Sequence, residues 1–159
     1  MSPNEIVSGG QTGVDRAALD VALAAGIRIG GWCPLGRKAE DGTIPPDYPL
    51  IETPLSDYKQ RNDWNVRDSN ATLILNIGQV EGGTLTTLRL ARDRWHRPHL
   101  VADLHDPDVL RQILVWLAEV QPSVLNVAGP RESKRPGIYA EACQVLADVF
   151  ARLGARGGQ

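Results

Sequence analysis

Short apolar runs alternate along the chain with longer segments in which apolar residues recur every three or four positions. The short runs predict strands, and the helical spacing of the longer segments predicts helices. The predicted strands cover residues 6–7, 27–32, 71–77, 99–103 and 123–128. The run at 71–77 is almost continuously apolar, as expected of a strand inside a parallel sheet.

Five segments carry the helical pattern. The first is Ala-rich, starts after Gly13 and ends near Gly26, which fits a C-cap. A short helix is predicted from Tyr58 to Asp68, and a third helix follows Thr84. The fourth starts at Asp106-Pro107, with an N-cap and a proline at its first position. The apolar faces of the last three helices are Leu85, Leu88, Ala91 and Trp95; then Val109, Ile113, Trp116, Leu117 and Val120; then Ile138, Ala142, Val145, Leu146, Val149, Phe150 and Leu153.

The alternation of strands and helices predicts right-handed βαβ crossovers. The expected fold class is therefore α/β, with a mainly parallel sheet of five or slightly more strands and helices on both faces. Ligands of such sheets bind at the carboxyl ends of the strands, where the strand order reverses. Several polar, glycine-rich loops follow predicted strands, so they converge on this edge.

Size and composition add limits to this picture. The 159 residues fit one domain, so residues 1–159 are taken as a single ligand-binding domain. A net charge of −2 gives no support for a nucleic-acid or membrane surface, and no apolar run has the length of a membrane span. The first residues lack the basic start of a signal peptide, and Cys33 and Cys143 fit reduced thiols, so we expect a cytoplasmic protein. Residues 156–159 are expected to form a frayed tail.

The first glycine-rich turn connects a predicted strand to a predicted helix. Its candidate ligand-binding residues are Gly9, Gly10, Gln11 and Thr12. Glycines let a ligand approach the main chain, and the free N–H groups of the following helix favour an anion such as phosphate. The alternative is that the glycines only make a tight turn. Arg16 either reaches the anion or pairs with Asp20 one helical turn later.

A second turn, which we call the cradle, comprises Gly82, Gly83, Thr84 and Thr87. Backbone N–H groups of the two glycines and the two hydroxyls form a phosphate cradle that needs no positive charge. The alternative is an ordinary capped helix with Thr84 as its N-cap. Asn76, at the end of the preceding strand, is assigned to the same binding edge.

A third loop contributes Arg131, Glu132 and Ser133. A guanidinium here could bind a phosphate or a carbonyl, and Glu132 could hold the arginine or accept hydrogen bonds from a heterocycle. A solvated loop would have the same composition. Residues 33–54 are rich in proline and glycine, so we expect this proline-rich loop to lack regular structure and to form a lid or rim over the ligand.

We find no catalytic triad, no H-E-x-x-H motif and no P-loop lysine, and we assign no catalytic or metal-binding residue. Cys33 has no nearby histidine or second cysteine in sequence, so it is interpreted as inert.

The motifs carry a family resemblance. Residues 8–20, SGGQTGVDRAALD, resemble the opening signature of the molybdenum cofactor carrier proteins. The segments 65–69, 82–84 and 129–139 fit the same family, so the match covers nearly the whole chain. The resemblance implies a Rossmann-like, doubly wound fold related to lysine-decarboxylase-like and nucleotide-sensing domains. It also implies a homo-oligomer, a dimer or tetramer, that binds the pterin-based molybdenum cofactor with its phosphate in the cradle.

The chain departs from the family pattern at a few positions. Asn62-Asp63 stands where Thr-Glu is usual, and Asn70 replaces an expected aspartate. The related cytokinin-activating phosphoribohydrolases need a glutamate on the helix after their glycine-threonine turn. This chain has Leu85-Thr86-Thr87-Leu88 there, which argues against N-glycosidic hydrolysis.

The leading hypothesis is a cytoplasmic binding and carrier protein for molybdenum cofactor (molybdopterin), with the pterin against the first glycine turn and a recipient molybdoenzyme as partner. One alternative is a nucleotide-binding enzyme of the phosphoribohydrolase type that uses Glu132 or Asp15 as its acid or base. The other is a nucleotide-sensing module. All three use the same phosphate cradle.

Overall fold

The computed structural model describes residues 3–157. The strands, in chain order, are β1 (Glu5–Val7), β2 (Arg28–Gly30), β3 (Trp32–Cys33), β4 (Lys38–Ala39), β5 (Gly42–Thr43), β6 (Ile51–Glu52), β7 (Ala71–Asn76), β8 (His99–Asp103) and β9 (Val124–Ala128). The helices are α1 (Val14–Ala24), α2 (Tyr58–Arg67), α3 (Gly82–Arg89), α4 (Val109–Val120) and α5 (Ile138–Gly157). A π-helical turn, Leu90–Arg94, directly follows α3.

The central sheet has five parallel strands in the order β2-β1-β9-β7-β8. Helices α1 and α4 both pack against α5, and α2 packs against α3. The connections that leave β1 and β7 run in opposite directions across the sheet, so right-handed crossovers place the two helix groups on opposite faces. The predicted α/β fold with a parallel five-stranded sheet is confirmed.

The interior of the sheet explains its sequence pattern. All six residues of β7 are buried, because helices cover this strand on both faces. Leu73, Leu125 and Leu146 are fully buried members of one hydrophobic cluster that joins the sheet to its helices. The strand order reverses around β9, which lies between β1 and β7. A crevice is therefore expected at the carboxyl ends of these three strands.

The second predicted strand, residues 27–32, is split in two. Gly31 has a φ of +123°, and a Cβ there would lie 2.5 Å from the Ser8 carbonyl oxygen. The chain therefore turns at this glycine, and β3 leaves the main sheet to pair with β6. The prediction that residues 33–54 lack regular structure is wrong, since they also contain the antiparallel pair β4–β5.

Three helices differ from the predictions, two at an end and one in its buried side. Helix α4 begins at Val109 because Asp106 forms a turn instead of capping the helix: its Oδ1 accepts a hydrogen bond from the Asp108 N–H at 2.8 Å. The buried side of α3 is formed by Thr84 and Thr87, not by the predicted leucine face, and the π-helical turn interrupts that face. Helix α5 continues to Gly157, so the predicted fraying is wrong for 156–157, and residues 158–159 lie outside the described residues.

Within residues 3–157, no helix combines the length and the apolar character that crossing a bilayer requires.

Candidate functional site

A cavity of about 790 Å³, counting the space at its mouth, opens at the carboxyl ends of β1, β9 and β7. This is the place that the reversal of strand order predicts for a ligand site. Four parts of the chain line it: the turn after β1, helix α2, the β7–α3 connection and the loop after β9. The lining residues are Gln11, Asp15, Tyr58, Arg61, Asn62, Asn76, Glu81, Gly83, Thr84, Thr87, Ala128, Gly129, Pro130, Arg131, Lys134 and Arg135.

Six of the twelve predicted site residues line this cavity: Gln11, Asn76, Gly83, Thr84, Thr87 and Arg131. The structure does not bring the other six to its wall: Gly9, Gly10, Thr12, Gly82, Glu132 and Ser133. Asn76 is almost fully buried, and its side-chain amide donates to the Gly78 carbonyl at 3.0 Å. That bond fixes the turn that leads into α3.

The N-terminus of α3 is open toward the cavity. Its N-cap residue, Glu81, makes no side-chain capping bond, and the backbone N–H groups of residues 82–84 have no acceptor within residues 3–157. A Cβ on Gly83 would find only the Asn62 side chain, at 3.9 Å. Thr84 is the third residue of the helix, so the alternative that it serves as the N-cap is wrong. Free N–H groups and the helix dipole make this end attractive to an anion.

The two threonines of the cradle differ in what they can offer. The Thr87 hydroxyl donates to the Gly83 carbonyl at 3.1 Å, so its hydrogen is already used inside the helix. No such bond is formed by the Thr84 hydroxyl to any group in residues 3–157. The expectation that both hydroxyls donate to a phosphate is therefore corrected to Thr84 alone.

The cavity also has positive charge that the sequence interpretation did not include. The Lys134 ammonium lies over the start of α3, since a Cβ on Gly82 would be 3.0 Å from its Nζ. Arg135 donates from Nε to the Ile77 carbonyl at 3.2 Å, and its Nη2 lies 3.5 Å from a Glu81 carboxylate oxygen. These charges could have been predicted from the sequence, because Lys134 and Arg135 directly follow the predicted site segment Arg131–Ser133.

The first glycine turn is closed by the protein's own groups. The Gln11 N–H donates to the Asp15 carboxylate at 3.2 Å, and the Thr12 N–H donates to the Gln11 side chain at 3.0 Å. The Val14 N–H donates to the Pro130 carbonyl at 3.3 Å. Because these donors are occupied, the structure does not show the expected anion site at the start of α1.

The glycines of that turn serve other contacts. A Cβ on Gly9 would collide with the Arg61 side chain. The Gly9 carbonyl accepts a hydrogen bond from Arg61 Nη1 at 2.7 Å. A Cβ on Gly10 would lie 2.7 Å from Leu50 and 2.8 Å from Ile44. These two glycines therefore let α2 and the proline-rich loop approach the turn closely.

Asp15 and Arg61 form the floor of the cavity. Only 10% of the Asp15 side chain and 5% of the Arg61 side chain are exposed, and their nearest charged atoms are 3.9 Å apart. Burial raises the pKa of Asp15 above its ordinary value, although Arg61 and the Gln11 N–H oppose this. Burial likewise lowers the pKa of the Arg61 guanidinium, which Asp15 opposes. Arg61 was not among the predicted site residues.

The proline-rich loop is fastened over the first glycine turn by two carboxylates. Glu40 accepts hydrogen bonds from the Thr12 hydroxyl and from the Ser133 N–H and hydroxyl, the last two at 3.1 and 2.5 Å. Arg131 Nε lies 3.2 Å from Glu40 without a well-angled hydrogen bond. Asp41 pairs with Arg16. Thr12 and Ser133 therefore hold the loop and do not line the cavity.

The structure shows neither of the two alternatives for Arg16, since this residue does not pair with Asp20 and does not line the cavity. Arg16 donates from Nε to the Gly10 carbonyl at 3.0 Å and pairs with Asp41. Asp20 instead accepts from the hydroxyls of Tyr48 and Tyr139 at 2.6 and 2.5 Å. The bond from Tyr48 adds a second fastening point for the proline-rich loop, and the bond from Tyr139 joins α1 to α5.

Glu132 is occupied at the start of α5. Its carboxylate accepts from the N–H groups of Gly137 and Tyr139 at 2.7 and 3.0 Å. It therefore neither holds Arg131 nor faces the cavity, which removes the geometry for Glu132 as an acid or base. Among residues 3–157, no group of three His, Cys, Asp or Glu side chains is arranged to hold a metal ion.

Comparisons with known proteins give two matches. Residues 6–150 match the family described as the circularly permutated YpsA SLOG family. A crystal structure of the "Putative molybdenum carrier protein" from Syntrophus aciditrophicus shares 44% sequence identity with this chain and superposes with a TM-score of 0.89. The match covers 93% of this chain and 94% of that one. No curated protein matches the chain.

We predict that the proline-rich loop loosens in acid. Partial burial opposes ionisation of Glu40, but hydrogen bonds from Ser133 and Thr12 outweigh it and lower its pKa from the ordinary 4.5. The bond from Arg16 lowers the pKa of Asp41 from 3.8. A lowered folded-state pKa means that the stabilisation is complete above the ordinary values and is lost as pH falls through the lowered ones.

Hydrogen exchange of the amides in residues 33–54, corrected for intrinsic exchange rates, measures this effect. Protection should fall as pH drops below 4.5 while the central strands stay protected. The Glu40→Gln variant should already be looser at neutral pH. Equal protection at pH 6 and pH 3 in the parent protein would contradict the prediction.

Proposed function

This chain belongs to the circularly permutated YpsA SLOG family, and from that premise we propose that it binds and carries molybdenum cofactor as cargo. The molybdenum-carrier resemblance seen in the motifs is thereby confirmed at the level of the family. The observation that carries the proposal is the open N-terminus of α3, which faces a cavity and is flanked by Lys134.

The phosphate of the cofactor would lie at the cradle. The backbone N–H groups of residues 82–84, which have no acceptor within residues 3–157, and the Thr84 hydroxyl supply directional donors. Lys134 adds a positive charge on the solvent side, where it can approach the anion without being buried. A phosphate at a helix N-terminus is a common arrangement, because the dipole and the free donors act on the same atom.

Apart from Arg61, which pairs with Asp15, the positive charge of the cavity lies on one wall. Arg131, Lys134 and Arg135 all come from the loop between β9 and α5. Arg135 is held by the Ile77 carbonyl, so it is positioned before any ligand arrives. A pre-positioned charge costs less conformational entropy on binding, which favours retention of a small anionic cargo.

A carrier must shield its cargo more than it must transform it. The expected lid or rim is not seen, since no residue of the proline-rich loop lines the cavity. The loop supports a carrier role indirectly, because the Glu40 N–H donates to the Gln11 side chain at 2.9 Å and so holds a residue of the cavity wall in place. The pterin was expected against the first glycine turn. Gln11 and Asp15 are the residues of the turn region that reach the cavity, so the proposal now rests on these two side chains.

A nucleotide remains the competing ligand, since its phosphate would use the same cradle. A phosphoribohydrolase would have to rely on Asp15, because Glu132 is engaged by the N–H groups at the start of α5. The homo-oligomer, the recipient molybdoenzyme and the cytoplasmic location stay predictions. Sedimentation equilibrium of the purified protein tests the first of these, and a monomer at micromolar concentration would contradict it.

We predict that Gly83→Asp abolishes cofactor binding. Gly83 has open space beside it, so the fold accommodates a side chain there. Two like charges about 4 Å apart at an effective dielectric constant of about 20 repel by about 4 kcal/mol, so affinity should fall by more than about 100-fold. Anaerobic calorimetric titration with molybdenum cofactor measures the change.

Gly83→Asn is the matched control, because it has the same shape without the charge. It should bind the cofactor at least about tenfold more tightly than Gly83→Asp. Melting temperatures of both variants check that the fold is intact. Equal affinities for the two variants and the parent protein would remove the cradle from the proposed site.

A further inference from the structure

The two oxygens of the Asp15 carboxylate differ in their hydrogen bonding. Oδ2 accepts from the Gln11 N–H at 3.2 Å and lies 3.9 Å from Arg61 Nη1. No group within residues 3–157 donates a hydrogen bond to Oδ1. Asp15 lines the cavity while its side chain is nine-tenths buried. An acceptor that lines the cavity and lacks a protein donor can take a hydrogen bond from a ligand, and hydrogen bonds to a charged group are the stronger ones.

The neighbouring Ser8 hydroxyl does not fill this gap. It lies close enough to influence the Asp15 carboxylate, but its single hydrogen is donated to the Val127 carbonyl at 2.6 Å. A hydroxyl has one hydrogen to give, so the Asp15 Oδ1 atom stays without a donor.

The side chain of Gln11 offers the complementary group. Its Oε1 accepts from the N–H groups of Thr12 and Glu40 at 3.0 and 2.9 Å, and these two bonds fix which way the amide points. Its Nε2 has no acceptor within residues 3–157, although Gln11 is buried and lines the cavity. Gln11 therefore brings an amide donor, without a partner among residues 3–157, to the cavity that Asp15 also lines.

We propose that Gln11 and Asp15 together recognise a flat ring with a 2-amino-4-oxo edge, the edge that guanine and pterin share. This inference rests on the proposed function, in which the phosphate of the ligand occupies the cradle. The ring carbonyl accepts from Gln11 Nε2, while the adjacent ring N–H and amino group donate to the Asp15 carboxylate. The hydrogen bond from the Gln11 main-chain N–H to Asp15 fixes the position of the carboxylate relative to Gln11.

The same arrangement rejects adenine. Adenine presents an amino group where guanine has a carbonyl, and a ring nitrogen lone pair where guanine has an N–H. Gln11 Nε2 would then face a donor and the Asp15 carboxylate would face a lone pair. Sites built to hydrogen-bond a ligand discriminate strongly against analogues that leave those buried groups unpaired.

Three nucleoside monophosphates test the inference, because GMP, IMP and AMP carry the same ribose and phosphate. Calorimetric titration of the full chain should give affinities in the order GMP, IMP, AMP. IMP keeps the carbonyl and the ring N–H but lacks the amino group, so it should fall between the other two. Because hydrogen bonds to a charged group are stronger than those between neutral groups, GMP should bind about 10- to 100-fold more tightly than AMP.

The Asp15→Asn variant isolates the carboxylate, and Asp148→Asn is its control because Asp148 is exposed on α5. Asp15→Asn should weaken the affinity for GMP by about tenfold and leave the affinity for AMP nearly unchanged. The control variant should change neither affinity. If Asp15→Asn fails to fold, Gln11→Glu replaces it. This variant keeps the Oε1 acceptor and loses the Nε2 amide donor that the ring carbonyl would accept from. The Gln11→Glu variant should also lose affinity for GMP and keep its affinity for AMP.

The outcomes separate this inference from the proposed function. Equal affinities for the three nucleotides, or no measurable GMP binding, overturn the ring recognition even if molybdenum cofactor binds. The order GMP, IMP, AMP without cofactor binding supports the ring recognition and overturns the carrier role. Cofactor affinity that is unchanged in Asp15→Asn also overturns the inference and leaves the cradle in place.

Discussion

Asp15 and Arg61 are the two charged residues that are buried within residues 3–157, and the cavity is built around their pairing. A buried charge is tolerated when an opposite charge and hydrogen bonds compensate it. Arg61 reaches Asp15 because Gly9 has no side chain in its way and offers a carbonyl to the guanidinium. The pair thus ties α2 to the turn after β1 and fixes the floor on which Gln11 and Asp15 present their free atoms.

Two glycine-rich turns precede helices in this chain, and they differ in whether their backbone N–H groups have acceptors within the described residues. The turn before α1 uses its donors on Asp15, Gln11 and Pro130, which belong to the protein itself. In the turn before α3, the three N–H groups find no acceptor among residues 3–157, and Lys134 lies close to them. Sequence pattern alone cannot separate the two cases, because the acceptors that close the first turn include a carbonyl more than one hundred residues away.

Much of the scaffold followed from local sequence, while many contacts of the site did not. The five strands of the sheet and the convergence of their loops were predicted from apolar runs and helical spacing, since those patterns depend on nearby residues. The pairing of Arg16 with Asp41 and the engagement of Glu132 by the start of α5 join loops whose relative positions only the fold decides. The charge on Lys134 was missed because the cradle was interpreted as sufficient without a cation.

The central claim is that the open N-terminus of α3 holds the phosphate of the cargo. The most direct measurement is an anaerobic titration of ¹⁵N-labelled protein with molybdenum cofactor, followed by amide resonances. A saturable downfield shift of the Gly82, Gly83 and Thr84 amide protons, the expected sign of new hydrogen bonds to an anion, is the predicted result. Unmoved resonances at these three residues, with shifts confined to another surface or none at saturation, would contradict the claim.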